Sequence, residues 1–275
     1  MYLNCDRHFG EHFSKTHAPF LAYLLAAARE GHLYVEIREG RLFPSPGEQE
    51  AELLQLANTC PASLTCVVRR GSRWYLKRHA DIEDKLTHHM QRLENSAISP
   101  LSVLLPQTLL EEQIQALQVS LGSQAITWIS GGPGTGKTFM AACLIRSCPG
   151  RVVVAAPTGK AAANLRRALG EVPVHTLHAL LAQRHLIGAD LVVIDEGSMV
   201  DAATFAEVFS RIKTGARVVI FGDEYQLPPV SSGSVFADHA AMCGCRLQTC
   251  LRTDRKEILE MARSVKEGKP ITCLP

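Results

Sequence analysis

The chain has 275 residues, 46% of them hydrophobic and 20% charged, which suits one large or two ordinary globular domains and excludes a disordered tail protein. With 29 basic and 27 acidic residues the net charge is +2, so composition does not announce a strongly basic nucleic-acid binder. The longest early apolar run, Phe20 to Ala28, is too short to span a bilayer, and no basic region precedes a cleavable segment; a cytoplasmic protein without a membrane partner is expected.

Residues 1–105 read as a small α+β domain. Thr16 is a candidate cap for an alanine- and leucine-rich helix ending near Gly31, and His32 to Ile37 follows as a strand. Pro44-Ser-Pro-Gly47 is a turn. Cys66 to Lys77 is a hairpin with Gly71-Ser72 at its tip, and Ala80 to Leu93 is an amphipathic helix. Ser99 to Pro106, with two prolines, reads as a linker. From Thr108 the pattern becomes strand, loop, helix, repeated. Ala125–Ser130, Val152–Ala156, Asp190–Asp195 and Ala216–Phe221 are short apolar runs, each leading into a loop and a helical stretch. Runs apolar on both faces suit a parallel sheet flanked by helices, an α/β fold whose ligands bind beyond the carboxyl ends of the strands. The nine cysteines include no CxxC pair. Cys243, Cys245 and Cys250 lack a histidine at zinc spacing and read as reduced thiols.

Gly131-Gly132-Pro133-Gly134-Thr135-Gly136-Lys137-Thr138 fits the phosphate-loop pattern GxxxxGK[ST], with an apolar strand before it and a helix after it. Glycines let the backbone close around phosphates with its N–H groups aimed inward, and the following helix turns its positive end to the same anion. Lys137 can reach the β and γ phosphates, and the Thr138 hydroxyl can bind magnesium. Such a site needs acids at the tip of another strand. Leu191-Val-Val-Ile-Asp195-Glu196 supplies them, with Asp195 as metal ligand and Glu196 as general base toward water. The last apolar run ends in Gly222-Asp-Glu-Tyr-Gln226-Leu-Pro-Pro-Val230, where Gln226 is a candidate γ-phosphate contact. The expected cofactors are ATP and Mg2+.

In this order, GGPGTGKT, APTGKAAANL at 156–165, VVIDEGSMVD at 192–201 and GDEYQLPPV at 222–230 resemble motifs I, Ia, II and III of superfamily 1 helicases, in the wording of the RecD branch. His175-Thr-Leu-His-Ala-Leu-Leu181 resembles that branch's Thr-x-His segment. The resemblance implies a RecA-like fold and an ATP-dependent 5′–3′ DNA helicase of recombinational repair, a subunit of a RecBCD-type exonuclease acting on single-stranded and duplex DNA. It further implies that Gln113 contacts adenine and that Arg252, after Leu251, is an arginine finger. Pro157, Thr158, Lys160, Thr176 and His178 would line the single-strand track. The alternative for Lys160 is a solvated lysine at a helix start, and for His178 a satisfied core histidine. Residues 1–105 resemble the RecD domain that docks on RecC, implying RecB- and RecC-like partners. The expected domains are 1–105 for partner binding, 106–246 for the ATPase, and 247–275 as the start of a second RecA-like domain.

Two departures stand out. Gly197 occupies the position where the branch usually carries alanine, and nothing after Arg252 resembles motifs V and VI. A capping box at Asp254-x-x-Glu257 opens a helix lined by Ile258, Met261, Ala262 and Val265, which Gly268 and Pro270 end. On the resemblance, this chain alone binds ATP weakly and hydrolyses it slowly. The alternative is a non-motor nucleotide-binding scaffold. A phosphate-loop ATPase unrelated to nucleic acid is disfavoured by APTGKAA, which has no role in small-molecule kinases.

Overall fold

The computed structural model describes residues 3–61, 63–102, 105–243 and 245–251. The predicted helix from Asp254 and the candidate finger Arg252 lie outside them. The chain divides into two compact units. One comprises residues up to His89 with Asp201–Ser210 and Pro228–Ser234; the other comprises Met90–Val200, Arg211–Leu227 and the described residues from Val235 onward.

The first unit opens with α1 (Asn4–Phe13) and α2 (Ala18–Arg29). Gly10 lets the helices meet backbone to backbone, since a Cβ there would lie 2.4 Å from the Ala18 carbonyl oxygen. Buried Asp6 accepts a charge-assisted hydrogen bond from Arg29. The expected cap Thr16 is not used: the N-cap of α2 is His17, without a side-chain cap, and Pro19 sits in the first turn. Then follow β1 (Tyr34–Arg38), β2 (Arg41–Phe43), α3 (Glu50–Thr59), β3 (Val67–Arg70), β4 (Arg73–Leu76) and α4 (Lys77–Glu94). The strands form an antiparallel sheet in the order β2-β1-β4-β3. Alternation puts Val35, Leu42, Val67, Trp74 and Leu76 on one face, where they pack with Phe20, Leu21 and Leu24 of α2. The predicted hairpin is β3–β4, and Gly71 at its tip has φ 59°.

The second unit runs α5 (Glu111–Leu121), β5 (Ile126–Gly131), α6 (Lys137–Ser147), β6 (Val152–Ala156), α7 (Gly159–Leu169), β7 (Val174–Thr176), α8 (Leu177–Ala182) and β8 (Leu191–Ile194). It continues with α9 (Ala202–Arg211), most of which belongs to the first unit, then β9 (Arg217–Gly222), α10 (Val235–Cys243) and β10 (Arg246–Leu247). Six parallel strands in the order β10-β5-β9-β8-β6-β7 make the expected α/β sheet. Every residue of β5, β8 and β9 is buried, which is why these segments read as unbroken apolar runs. Buried Arg217 at the start of β9 spends its guanidinium on carbonyls at the end of α5, including Gly122 at 2.7 Å, and on Ser99 at 3.1 Å. This cation at a helix C-terminus fixes α5 against the sheet. The four predicted strands are β5, β6, β8 and β9. The short edge strands β7 and β10 were not expected.

Candidate functional site

The carboxyl ends of the parallel strands carry the site. Beyond β5 the chain turns through Gly134 and Gly136, at φ 79° and 87°, a left-handed backbone that favours glycine. The same glycines leave room. A Cβ at Gly136 would lie 2.5 Å from Gln113 Nε2, and one at Gly131 would lie 2.7 Å from Thr135 Oγ1. Buried Thr135 donates its hydroxyl to the Gly132 oxygen at 2.9 Å, closing the loop on itself. Lys137, first residue of α6, donates its ammonium to the carbonyls of Gly131 at 2.6 Å and Gly132 at 3.1 Å. Its charge therefore sits over the loop mouth, where Asp195 feels it. Thr138 and Pro133 are exposed.

Beyond β8, Asp195 is half-buried. Burial raises its pKa to about 6, with the Glu196 charge adding to the rise, while the Glu196 N–H and Lys137 oppose it. A cation beside Asp195 would pull it back to the carboxylate form. Glu196 has φ 54° and ψ 38°, and its Oε2 is buried without a hydrogen-bond partner. A non-glycine residue held left-handed beside an orphaned carboxylate oxygen is strain of the kind that collects at functional sites. A glycine-lined anion cradle, a lysine above it and two acids at a nearby strand tip fit a triphosphate with a divalent cation.

The loop after β9 is pinned from two sides. Ser130 Oγ accepts from Glu224 N and Ser198 Oγ from Asp223 N, each at 3.3 Å, while Asp223 Oδ1 accepts from Tyr225 N at 3.1 Å. Gln226 is exposed at the end of that turn. Ser130 and Ser198, which hold this loop, were not singled out in the sequence. Their signal was a small hydroxyl residue beside each motif. Beyond β6 and β7, which pair at Ala156 and Thr176, Thr158 caps α7 by accepting from Ala161 N at 3.2 Å, and Thr176 caps α8 by accepting from Ala179 N at 3.1 Å. Pro157 is half-buried, while Lys160 and His178 are both exposed, so His178 is not a core histidine.

Gln113 is 1% exposed. Its Oε1 accepts from Leu110 N at 3.0 Å, and its Nε2 donates to the Thr135 oxygen at 2.9 Å. An amide so engaged holds the phosphate loop.

Residues 108–274 match the family model of an AAA domain (AAA_30). The RecBCD enzyme subunit RecD of Mycobacterium tuberculosis (strain H37Rv) is 32% identical over 203 residues, covering 60% of this chain and 35% of that protein. The RecD subunit of Mycolicibacterium smegmatis is 33% identical over 199 residues, covering 58% and 36%. The ATP-dependent RecD2 DNA helicase of Deinococcus radiodurans is 39% identical over 135 residues, covering 45% and 19%. The chain thus spans about a third or less of the length of these relatives. No helix among the described residues is long and apolar enough to cross a membrane. The match covers more than half of the chain and contains both the phosphate loop and the acidic tip of β8: the chain belongs to the AAA domain family, which uses nucleotide.

Proposed function

We propose that this chain carries the nucleotide-binding part of an ATP-dependent DNA helicase of RecD type, moving 5′ to 3′ on single-stranded DNA and opening duplex DNA in recombinational repair in the cytoplasm. The observation that carries the reading is the pairing of the glycine-lined loop under Lys137 with the partnerless Glu196 carboxylate oxygen at the tip of β8. MgATP, when bound, supplies the phosphoanhydride whose cleavage drives movement. The loop N–H groups and Lys137 hold the phosphates. Thr138 and Asp195 are the cation ligands, and Glu196 accepts the proton of a water. Gln226 contacts the γ phosphate, and Arg252 is the arginine finger. Pro157, Thr158, Lys160, Thr176 and His178 face the DNA strand, with Lys160 and His178 as exposed contacts and the two threonines serving through helix N-termini. Residues 1–105 dock RecB- and RecC-like subunits of a RecBCD-type nuclease, and the relatives named as RecD subunits support this assignment.

The test is ATP hydrolysis by the 275-residue chain with and without single-stranded DNA, using Lys137→Ala as the blank. Stimulation by DNA supports the motor. Measurable nucleotide binding with no DNA-dependent turnover would replace it with the scaffold reading.

A further inference from the structure

The strand β10 lies beside β5, pairing Leu247 with Gly131, and the four residues that leave it run across the tip of the phosphate loop. Gln248 N and Thr249 N donate to the two carboxylate oxygens of Glu112, each at 2.9 Å. Cys250 Sγ approaches the Pro133 oxygen at 3.5 Å, and Leu251 N donates to the Gly134 oxygen at 2.8 Å. The next residue of the same helical turn, Gln113, binds the Thr135 oxygen. Successive loop carbonyls at 133, 134 and 135 are therefore held from outside the loop, and Glu112 anchors the segment that holds two of them. A carboxylate suits this anchor because each of its oxygens takes one of the converging N–H groups, whereas a glutamine has one acceptor. Its charge also sits in the first turn of α5, where the helix favours an anion. At the other end of β10, Arg246 pairs with Glu224 in the loop after β9 at 2.9 Å.

We infer that Glu112 is a positioning residue of the nucleotide site: by fastening Gln248–Leu251 across the loop tip, it keeps the phosphate cradle open in the form that accepts nucleotide. The inference rests on the proposed reading of residues 131–138 as that cradle. Loss of the Glu112 carboxylate frees the strap and loosens Pro133–Thr135 while the sheet beneath stays folded.

The experiment is hydrogen–deuterium exchange on the full chain, with equilibrium binding of a fluorescent ADP analogue with Mg2+, for wild type, Glu112→Gln, Glu112→Ala and Lys137→Ala. Glu112→Ala should speed exchange in both 248–251 and the loop 132–136, and weaken the analogue roughly tenfold, the scale of one net charge-assisted hydrogen bond. Glu112→Gln, with one acceptor left, should fall between. Lys137→Ala should weaken binding about a hundredfold or more with the strap still protected. Unchanged loop exchange and affinity in both Glu112 variants, with binding strongly weakened by Lys137→Ala, would overturn the role of Glu112 alone. Wild-type affinity in Lys137→Ala would overturn the cradle reading and this role with it.

Discussion

Glu196 holds a left-handed backbone beside β8 and leaves a carboxylate oxygen buried without a partner. Both features cost stability, about 1–3 kcal/mol for each strained or unsatisfied group. Glu196→Gln removes the charge from that oxygen's position and keeps the shape. It should bind ATP as wild type does, lose hydrolysis, and melt no lower than wild type; a clear fall in melting temperature would assign Glu196 a structural role. Glu196 was legible because a strand ending in two acids beside a phosphate loop has a chemical reason. Gln113 was singled out only through the resemblance. Its partners, Leu110 N and Thr135 O, lie 3 residues before it and 22 after it, and the second is a contact that spacing does not reveal.

At the scale of elements, Gly197 follows from packing. A Cβ there would lie 2.5 Å from Ile220 Cγ2, 3.1 Å from Phe236 Cδ2 and 3.2 Å from the Phe221 oxygen. The turn after Glu196 therefore presses against β9 and α10, and the alanine usual in the RecD branch has no room. Gly197→Ala should destabilise the chain by about 1–3 kcal/mol through overpacking, read by urea denaturation; a variant as stable as wild type would show that β9 yields freely. The strands β5, β6, β8 and β9 were legible because burial on both faces writes itself as a run of valine and isoleucine. The edge strand β7 has three residues and β10 two, too few for any period to show. Helix α1 was missed for a different reason. What holds it is Asp6 with Arg29 and the bare backbone of Gly10 against α2, contacts between segments rather than an apolar stripe within one.

For the molecule as a whole, one acid-sensitive group is a histidine far from the phosphate loop in sequence. His79 is 4% exposed; burial, with the Arg78 charge beside it, lowers its pKa to about 4, against a Leu33 backbone hydrogen bond that raises it. The unfolded chain takes up a proton near the ordinary value of 6.5 and the folded chain does not. The contribution of neutral His79 is therefore present above about pH 6.5 and is lost as pH falls toward 4, on the order of 3 kcal/mol across that window. His79→Gln should flatten the fall in melting temperature between those pH values. An unchanged profile would move the acid sensitivity elsewhere.

The central claim is that residues 131–138, with Asp195 and Glu196, form a nucleotide site, and titration calorimetry of the 275-residue chain with MgATP addresses it most directly. Saturable binding at one site, weakened about a hundredfold or more in Lys137→Ala, is the predicted result for loss of a charge-assisted phosphate contact. Equal affinity in wild type and Lys137→Ala would contradict it.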